Sequence, residues 1–455
     1  MSTVKVNTVD KRTGGTLTLG GCGTTVTLGA GATQSGFGRT GTVDWCTTAK
    51  TAPFTGVSGN GYFVNTTSGV VTVTLPATPS AGDIISIADY ASTFQTNNVT
   101  LCNNSSKING VCATAGLSTQ GQSVTLVYVD ATRGWKNTMD STSNVTATPS
   151  YIIATGGTIS CCGDYKIHTF TADGCFSVSN AGNPAGSNTV DYLVVAGGGS
   201  GGATGPASQG SNGGGGAGGF RESSGVASGC YSASPLGAGV SALPVSVQSY
   251  PIIVGAGGPP APGGPSNNPH TLGLAGTNSV FSTITSTGGG GGSAAGGGGS
   301  PEASLYGQPG GSGGGGGTGI RCGGTGNTPP TSPPQGTNGG GIGGACQASA
   351  GGGGATVAGS VATPSIGGSG GTGATTSITG SPTAYAGGGG GQGGNGGDPG
   401  GSGGTGGGGA GATSPGSGTA GTINTGGGGG AAAGSCIPSA AGGSGIVVVR
   451  YKFQN

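Results

Sequence analysis

Alternating apolar and polar positions in the first third of the chain predict short β-strands. The clearest run is 123–129, where Val124, Leu126 and Tyr128 share one face. Turn residues separate this run from others of similar length, a spacing typical of a sandwich or barrel. The predicted strands are 61–65, 70–75, 83–89, 98–102 and 123–130. We therefore predict a β-sandwich over residues 37–146, with Trp45 and Trp135 as its large packing residues.

A short repeat precedes this domain. Residues 16–20 and 25–29 each alternate threonine with Leu or Val and end in glycine, which predicts a strand and a turn, repeated. Strands this short cannot bury a core alone, so other copies of the chain would have to cover their apolar face. Residues 1–36 are therefore predicted to begin a homotrimer, as a β-prism or β-helix. The alternative is a two-stranded hairpin packed on the next domain.

Residues 147–190 predict three further strands, at 151–155, 165–170 and 174–178. We expect them to form one small sheet with the apolar runs 192–195 and 446–451. His168 falls within the second strand and is predicted to be a satisfied strand residue rather than a ligand. A zinc site of His168 with cysteines 161, 162 and 175 is disfavoured, because the spacing fits no standard pattern.

Composition changes sharply after residue 190. Most of the 117 glycines lie there, many in uninterrupted runs such as 288–292, 313–317 and 426–430. Charged residues make up 5% of the chain, against about 25% in an ordinary domain. A composition rich in glycine and proline is typical of disorder, but disordered chains usually also carry high net charge. Here the net charge is +1 and 32% of the residues are hydrophobic.

Physical chemistry limits how oligoglycine can become ordered. Fixing one residue's backbone costs about 1–2 kcal/mol, and glycine has no side chain to bury. Order therefore requires a lattice in which every N–H and C=O finds a partner. Collagen is excluded because the chain lacks a strict Gly-X-Y period. We predict packed polyglycine-II helices over 197–445, and the strand patterns at 250–258 and 279–284 favour an ordered domain over a flexible linker.

The predicted fold class is therefore an all-β N-terminal and middle region followed by a glycine-rich domain, 147–455. That domain consists of a β bridge (147–196), a polyglycine lattice with loops (197–445) and a closing strand (446–453). The sheet would clasp the two ends of the lattice.

Several function classes are disfavoured. Only 13 Lys and Arg residues are present, and they are scattered, so we expect no nucleic-acid binding. The first residues lack the apolar segment of a secretory signal, and no apolar run near either end is long enough to span a membrane. The 11 cysteines are odd in number and loosely spaced, which favours free thiols acting as small apolar residues over a disulfide framework. With two histidines and 12 acidic residues, no catalytic set, metal site or cofactor site is predicted.

A family resemblance emerges from specific segments. The runs 192–196, 213–221, 253–258, 279–288 and 443–451 look like the glycine-rich C-terminal domain of tailed-phage tail fibres. Segments 5–8, 36–45 and 121–130 are similar to tail fibre proteins of marine cyanophages. The oligoglycine lattice also resembles fibre-tip adhesins of T-even-like phages, in which loops between polyglycine helices contact the receptor.

This resemblance implies a structural virion protein, made in the host cytoplasm and located in the tail. Residues 1–36 would attach a homotrimer to a tail adaptor or baseplate protein, 37–146 would form shaft or collar, and the glycine-rich tip would bind a host polysaccharide or outer-membrane protein. The alternatives are a non-adhesive structural spacer and a polysaccharide depolymerase. Because glycine cannot discriminate a partner, recognition is assigned to residues that interrupt the runs. The receptor-contact candidates are Tyr306, Arg321, Tyr385, His270 and Glu302.

Overall fold

The described part of the protein is built from β-strands and extended runs. The computed structural model describes residues 43–141, 148–204, 211–229, 231–263, 270–294, 306–317, 322–341, 347–394 and 396–455. Within these ranges the single helical element is a 3-10 turn, Pro235–Gly237. The all-β prediction is confirmed. The repeat predicted at 16–29 lies outside the described residues.

Nine strands form the first β domain: β1 (Asp44–Lys50), β2 (Phe54–Thr55), β3 (Asn60–Val64), β4 (Val71–Thr74), β5 (Ile84–Asp89), β6 (Val99–Cys102), β7 (Ala115–Leu117), β8 (Ser123–Tyr128) and β9 (Trp135–Asp140). One sheet has the order β1-β3-β5-β8-β9 and the other β2-β4-β6-β7. β1, β3 and β5 are parallel, as are β2, β4 and β6. From β1 to β6 the chain therefore passes alternately from one sheet to the other. The antiparallel strands β7, β8 and β9 then complete the two sheets.

The two sheets enclose one hydrophobic core. Val124 and Leu126 of β8 point into it, as their alternation predicts. Trp135 is fully buried in the core, whereas Trp45 is 39% exposed and packs its ring 4.9 Å from that of Phe63. One tryptophan therefore anchors the core, and the other covers the outside of a sheet.

Fifteen strands lie in the described residues of the second part of the chain. Those before the lattice are β10 (Ile152–Thr155), β11 (Thr158–Cys162), β12 (Tyr165–Phe170), β13 (Gly174–Ala181) and β14 (Thr189–Val195). Short strands between glycine runs are β15 (Ala203–Thr204), β16 (Phe220–Glu222), β17 (Leu243–Pro244), β18 (Ser249–Ile253), β19 (His270–Thr271), β20 (Ser279–Phe281), β21 (Ile284–Ser286), β22 (Ala374–Thr376) and β23 (Thr383–Tyr385). The last strand is β24 (Ile446–Lys452).

The predicted clasp is present. One sheet has the order β11-β12-β24-β14-β16, so the closing strand lies between the strand that leads into the lattice and a bridge strand. β24 is antiparallel to both neighbours. Its residues 446–451 are all buried. This sheet brings the two ends of the glycine block together.

The prediction of a single bridge sheet is wrong in one respect. β10 and β13 do not join the clasp sheet but form a second sheet with β18, β20 and β21. The reason is a shared core: Phe176 and Phe281 on the second sheet pack against Tyr192 and Tyr451 on the clasp sheet. Two sheets stacked face to face bury this apolar surface, which one sheet could not do.

His168 is a buried strand residue, as predicted. Its side chain is 0% exposed, Nδ1 lies 2.7 Å from the carbonyl oxygen of Gly156, and Nε2 lies 3.1 Å from the Tyr451 hydroxyl. Both ring nitrogens are occupied by these hydrogen bonds. Among the described residues, no group of three or more His, Cys, Asp or Glu is placed to hold a metal ion.

Beyond the stacked sheets the chain runs back and forth. It leaves β14 along 197–204 and returns along 211–219 to β16; it leaves β18 along 254–263 and returns along 271–278 to β20. Later, it leaves β23 along 386–394, and its final return, 439–445, leads into β24. We call the end of these runs at the sheets the sheet end and the opposite end the loop end.

Candidate functional site: the loop end of the glycine lattice

The glycine runs bond to one another with a period of three residues. Every N–H from Gly197 to Gly202 donates to another run, at 2.8–3.2 Å, and consecutive residues reach different runs. Residues three apart reach the same run: Gly197 and Ser200 donate to Thr277 and Leu274, Gly198 and Gly201 to Gly443 and Ala440, and Gly199 and Gly202 to Gly216 and Gly213. The run therefore has three neighbours as hydrogen-bond acceptors.

The carbonyl groups of the same run accept from three further runs. Gly258 donates to Gly198, Gly289 and Gly292 donate to Gly197 and Ser200, and Gly429 and Ala432 donate to Gly199 and Gly202. The run 197–202 is thus surrounded by six others, three on the donor side and three on the acceptor side. Such a lattice satisfies buried backbone groups without any side chain.

The spacing between runs leaves no room for a β-carbon at many glycines. A Cβ on Gly199 would lie 2.2 Å from the carbonyl oxygen of Gly290, and one on Gly389 would lie 2.1 Å from that of Gly429. In both cases the obstacle is backbone and cannot move aside as a side chain can. Glycine content here is consequently a packing requirement.

Side chains of varied chemical type occur where one glycine run turns into the next. At the loop end the described connections are 361–366, 396–399, 413–416 and 434–438, beside the ends of runs at 203–204 and 261–263. These segments bond to each other. Thr204 Oγ1 donates to the carbonyl of Gly434 at 2.6 Å, Ser439 N to that of Ala261 at 3.0 Å, and Gly394 N to that of Ser365 at 2.7 Å. Hydrogen bonds therefore connect neighbouring described segments at the loop end.

A buried amide cluster lies just beneath this surface. Asn212 Nδ2 donates to Gln392 Oε1 at 3.1 Å and to the carbonyl of Ala432 at 2.8 Å. Gln392 N donates to Ser349 Oγ at 2.8 Å, and Ser349 Oγ donates to the Asn212 carbonyl. Asn212, Ser349 and Gln392 are at most 3% exposed. These side chains join four runs where the lattice gives way to loops, which fixes the base of the surface.

Several aliphatic side chains stand out from the loop end. Val361 is 62% exposed and Ile366 is 49% exposed, on a turn closed by the hydrogen bond from Thr363 N to the Ile366 carbonyl. Pro364 and Pro399 nearby are also exposed. This surface can offer apolar contact and backbone hydrogen bonds to a partner.

The five predicted receptor-contact residues fall in different places. Tyr306 is half-buried and begins a return run at the loop end. The backbone of His270, in β19, pairs with that of Thr204, in β15. Arg321 and Glu302 lie outside the described residues. Tyr385 lies at the sheet end in β23, is 4% exposed and packs in a core cluster with Leu193 and Ile446. Its ring is not available to a partner in this conformation.

The sequence did not predict a cluster of buried charged residues at the sheet end. Asp191, Glu222 and Arg450 are 0–2% exposed. Asp191 Oδ1 accepts from Ser223 Oγ at 2.7 Å, and Oδ2 accepts from both N and Oγ of Ser228. Two charges placed inside the apolar strands β14 and β24 were the available signal, since charged residues in such strands are buried only when they have partners.

Glu222 connects this cluster to the β22–β23 hairpin. It accepts hydrogen bonds from Thr376 Oγ1 and from Ser234 N, the latter at 2.8 Å. Burial raises the pKa of Glu222, and these hydrogen bonds oppose that shift in part. Burial also raises the pKa of the neighbouring Tyr231 well above its usual range, an effect that Asp191 and Glu222 strengthen. The cluster therefore holds the β22–β23 hairpin on the clasp sheet.

An open cavity of about 470 Å³ lies beside the cluster. Residues 224–227 form one wall and residues 239–242 another. Ser223 and Ser228 fix the first wall through Asp191, and Ser224 N donates to the Val240 carbonyl at 2.9 Å, which joins the two walls. The lining consists of hydroxyl and aliphatic groups, with Val226 79% exposed at the rim.

Most of the described cysteines do not behave as buried apolar residues. Cys46 and Cys102 are half-buried, and the others are exposed: Cys112, Cys161, Cys162, Cys175, Cys322 and Cys436. The expectation that the thiols fill apolar space is therefore wrong for this group, because these positions lie on the edge strand β11, on the exposed face of β13, in turns and at run ends.

Comparison with known sequences identifies the class of domain. The model of the glycine-rich domain family matches residues 171–452, from the bridge strands through β24. The chain belongs to this family, since the match covers more than half of it. No curated protein matches the chain. In the part of the chain that the structure describes, no helix has the length and apolar character needed to cross a bilayer.

Proposed function

We propose that the chain is a phage tail fibre protein whose glycine-rich domain is a polyglycine-II lattice that presents the loop end to the host cell surface. The observation that carries the proposal is the six-neighbour, period-three bonding around the run 197–202. A threefold extended helix has three residues per turn and no internal hydrogen bonds, so each turn directs N–H groups to three neighbours. A rigid rod with variable side chains at one end suits a tip that must reach and recognise a surface.

The different roles of the lattice and of the loop end support an adhesive function over that of a spacer. Lattice glycines face backbone atoms and have nothing to offer a partner, whereas the loop end exposes Val361 and Ile366 above a fixed amide cluster. A spacer would have no need for exposed apolar side chains at its end. In this proposal His270, Glu302, Tyr306 and Arg321 remain receptor-contact candidates, and Tyr385 serves the core.

The remaining roles complete the proposal. Residues 1–36 attach the fibre to the tail and begin a homotrimer, and the first β domain serves as shaft or collar. The receptor is a polysaccharide or an outer-membrane protein. No catalysis is assigned, and the buried carboxylates of Asp191 and Glu222 are engaged in holding loops together.

Adsorption measurements test the adhesive role. Purified full-length chain should bind cells of the bacterium that the virus infects and should slow adsorption of the virus. Val361→Asp and Ile366→Asp place a charge on the loop end and should weaken both effects. Val226→Asp is the matched control, because it adds the same charge to an exposed valine at the sheet end.

The outcomes separate the alternatives. Failure of the unaltered chain to bind cells or to block adsorption would leave the spacer function. Equal loss in Val226→Asp and Val361→Asp would move the contact surface away from the loop end. Release of reducing sugar from the host polysaccharide would favour a depolymerase. Light scattering on the full chain tests the trimer, and a monomer would contradict it.

A further inference from the structure

The guanidinium of Arg450 is buried with most of its hydrogen-bonding capacity unused. The side chain is 0% exposed, and Nη1 donates to the carbonyl of Ile378 at 3.2 Å. Nε and Nη2 have no hydrogen-bond partner among the described residues. A guanidinium carries five N–H donors, and a buried charge that lacks hydrogen bonds is strongly destabilising. An acceptor for the remaining donors is therefore needed.

Aromatic rings cover the guanidinium but cannot supply that acceptor. The Arg450 Cζ atom lies 5.0 Å from the ring centroid of Tyr165 and 5.2 Å from that of Tyr231. Contacts of this kind stabilise a cation through the ring face. The N–H groups point along the guanidinium plane, so a hydrogen-bonding partner must approach its edge.

Other polar atoms lie around the same position. Asp191 is the cross-strand neighbour of Arg450 in the β14–β24 pair, and each oxygen of its carboxylate can accept more than one hydrogen bond. The Tyr231 hydroxyl is also buried, beside the Ser223 side chain. The unpaired donors of Arg450 are thus buried close to the Asp191 carboxylate and to the side chain of Tyr231.

We propose that Arg450 is the base of an internal water site, in which one or two water molecules accept hydrogen bonds from Nε and Nη2 and donate to the Asp191 carboxylate and the Tyr231 hydroxyl oxygen. Water fits because the region needs a ligand that both accepts and donates. An anion would accept from Arg450 but would be repelled by Asp191 and Glu222. The site would join the clasp sheet to the segment that carries Ile378, independently of what the loop end binds.

A crystal structure of the full chain tests the site directly. We expect an ordered water within about 3 Å of Nε or Nη2 that also contacts Asp191 or Tyr231. A direct ion pair from Nη2 to either carboxylate, with no water at the guanidinium edge, would overturn the proposal. Crystals soaked in bromide separate water from an anion, because a bromide peak at this position would contradict the assignment of water.

Solution measurements give a second, independent test. Magnetic relaxation dispersion of the water signal reports long-lived internal waters, and Arg450→Met should remove the contribution of this site. Tyr231→Phe keeps the charge cluster and deletes one ligand, so it should shorten the residence time and remains informative if Arg450→Met does not fold. An unchanged dispersion in Tyr231→Phe and in a folded Arg450→Met would refute the site.

Discussion

The Tyr451 hydroxyl donates a hydrogen bond of 3.1 Å to Nε2 of His168, on the strand next to it in the clasp sheet. The direction of this hydrogen bond follows from the contact that the other ring nitrogen, Nδ1, makes. Nδ1 lies 2.7 Å from the Gly156 carbonyl, which can only accept, so Nδ1 carries the proton and Nε2 is the acceptor. Burial raises the pKa of Tyr451 to about 12, which keeps its hydroxyl protonated as the donor. The closing strand is thus bonded to a neutral histidine.

Protonation of His168 on acidification should therefore destabilise the glycine-rich domain. Burial lowers the pKa of His168 below the usual histidine value of about 6.5, and the charge of Lys166 lowers it further, although the hydrogen bond to Gly156 opposes the shift. Since the folded pKa is depressed, the contribution of His168 is fully present above the unfolded pKa and is lost as pH falls through the folded pKa. For this single proton the slope is at most about 1.4 kcal/mol per pH unit. Denaturant unfolding monitored between neutral and acidic pH measures it.

His168→Asn is the control for this effect. Its amide can donate to Gly156 in place of Nδ1, but it does not titrate. We expect the variant to be less stable at neutral pH and to lose the part of the pH dependence below about 6.5 that His168 contributes. If wild type and variant showed the same pH dependence of stability, that dependence would arise from groups other than His168.

Several elements could be predicted from the sequence because their signal is local. Predicted strands at 61–65, 98–102 and 123–130 correspond to β3, β6 and β8 within a few residues. Strict alternation over a half-buried surface identifies such strands without reference to the rest of the fold. The clasp could also be predicted, since 192–195 and 446–451 are the two strongly apolar runs that flank the block.

Other features depend on contacts that no local pattern encodes. The parallel pairing of β1 with β3 arises from coiling of the chain, and strand periodicity is the same for parallel and antiparallel neighbours. Tyr385 interrupts a glycine-rich segment as a loop residue would, yet it is buried because its hairpin folds back onto the clasp sheet. At the candidate site, the turn residues of 361–366 could be recognised, but the amide cluster of Asn212 and Gln392 joins residues far apart in the chain.

Replacing a lattice glycine should be far more damaging than replacing a strand glycine. In Gly199→Ala the new methyl group would meet the Gly290 carbonyl oxygen at 2.2 Å, so neighbouring runs must separate. We expect a loss of at least about 3 kcal/mol in the free energy of unfolding, measured by denaturant titration. Gly174→Ala in β13 is the matched control, because its methyl group would lie 3.4 Å from Phe170 Cδ1, an ordinary contact. Similar losses in the two variants would argue against close packing of the runs.

Removing the closing strand should unfold the glycine-rich domain alone. A chain that ends at residue 445 lacks β24, which pairs with both β12 and β14 and supplies Val447, Val449 and Tyr451 to the core. Limited proteolysis with mass spectrometry should show rapid cleavage after residue 148, with residues 43–141 protected by their own core. A chain shortened only by Gln454 and Asn455 should keep the protease resistance of the full chain. Protection of the lattice in the absence of β24 would show that the runs hold together without the clasp.

Neutralising the buried Glu222 should stabilise the protein near neutral pH. Burial raises the pKa of Glu222, so its stabilising contribution is present below the unfolded pKa, near 4.5, and is lost as pH rises through the folded pKa. In Glu222→Gln the amide oxygen can still accept from Ser234 N, and the NH₂ group can donate to Thr376 Oγ1 in reverse. We expect the difference in stability between variant and wild type to grow in favour of the variant as pH rises from about 4.5 toward 7, as measured by denaturant unfolding. Because Gln does not titrate, this difference isolates Glu222 from the opposing effect of His168. A difference that stays constant with pH would mean that Glu222 titrates alike in the folded and unfolded chains.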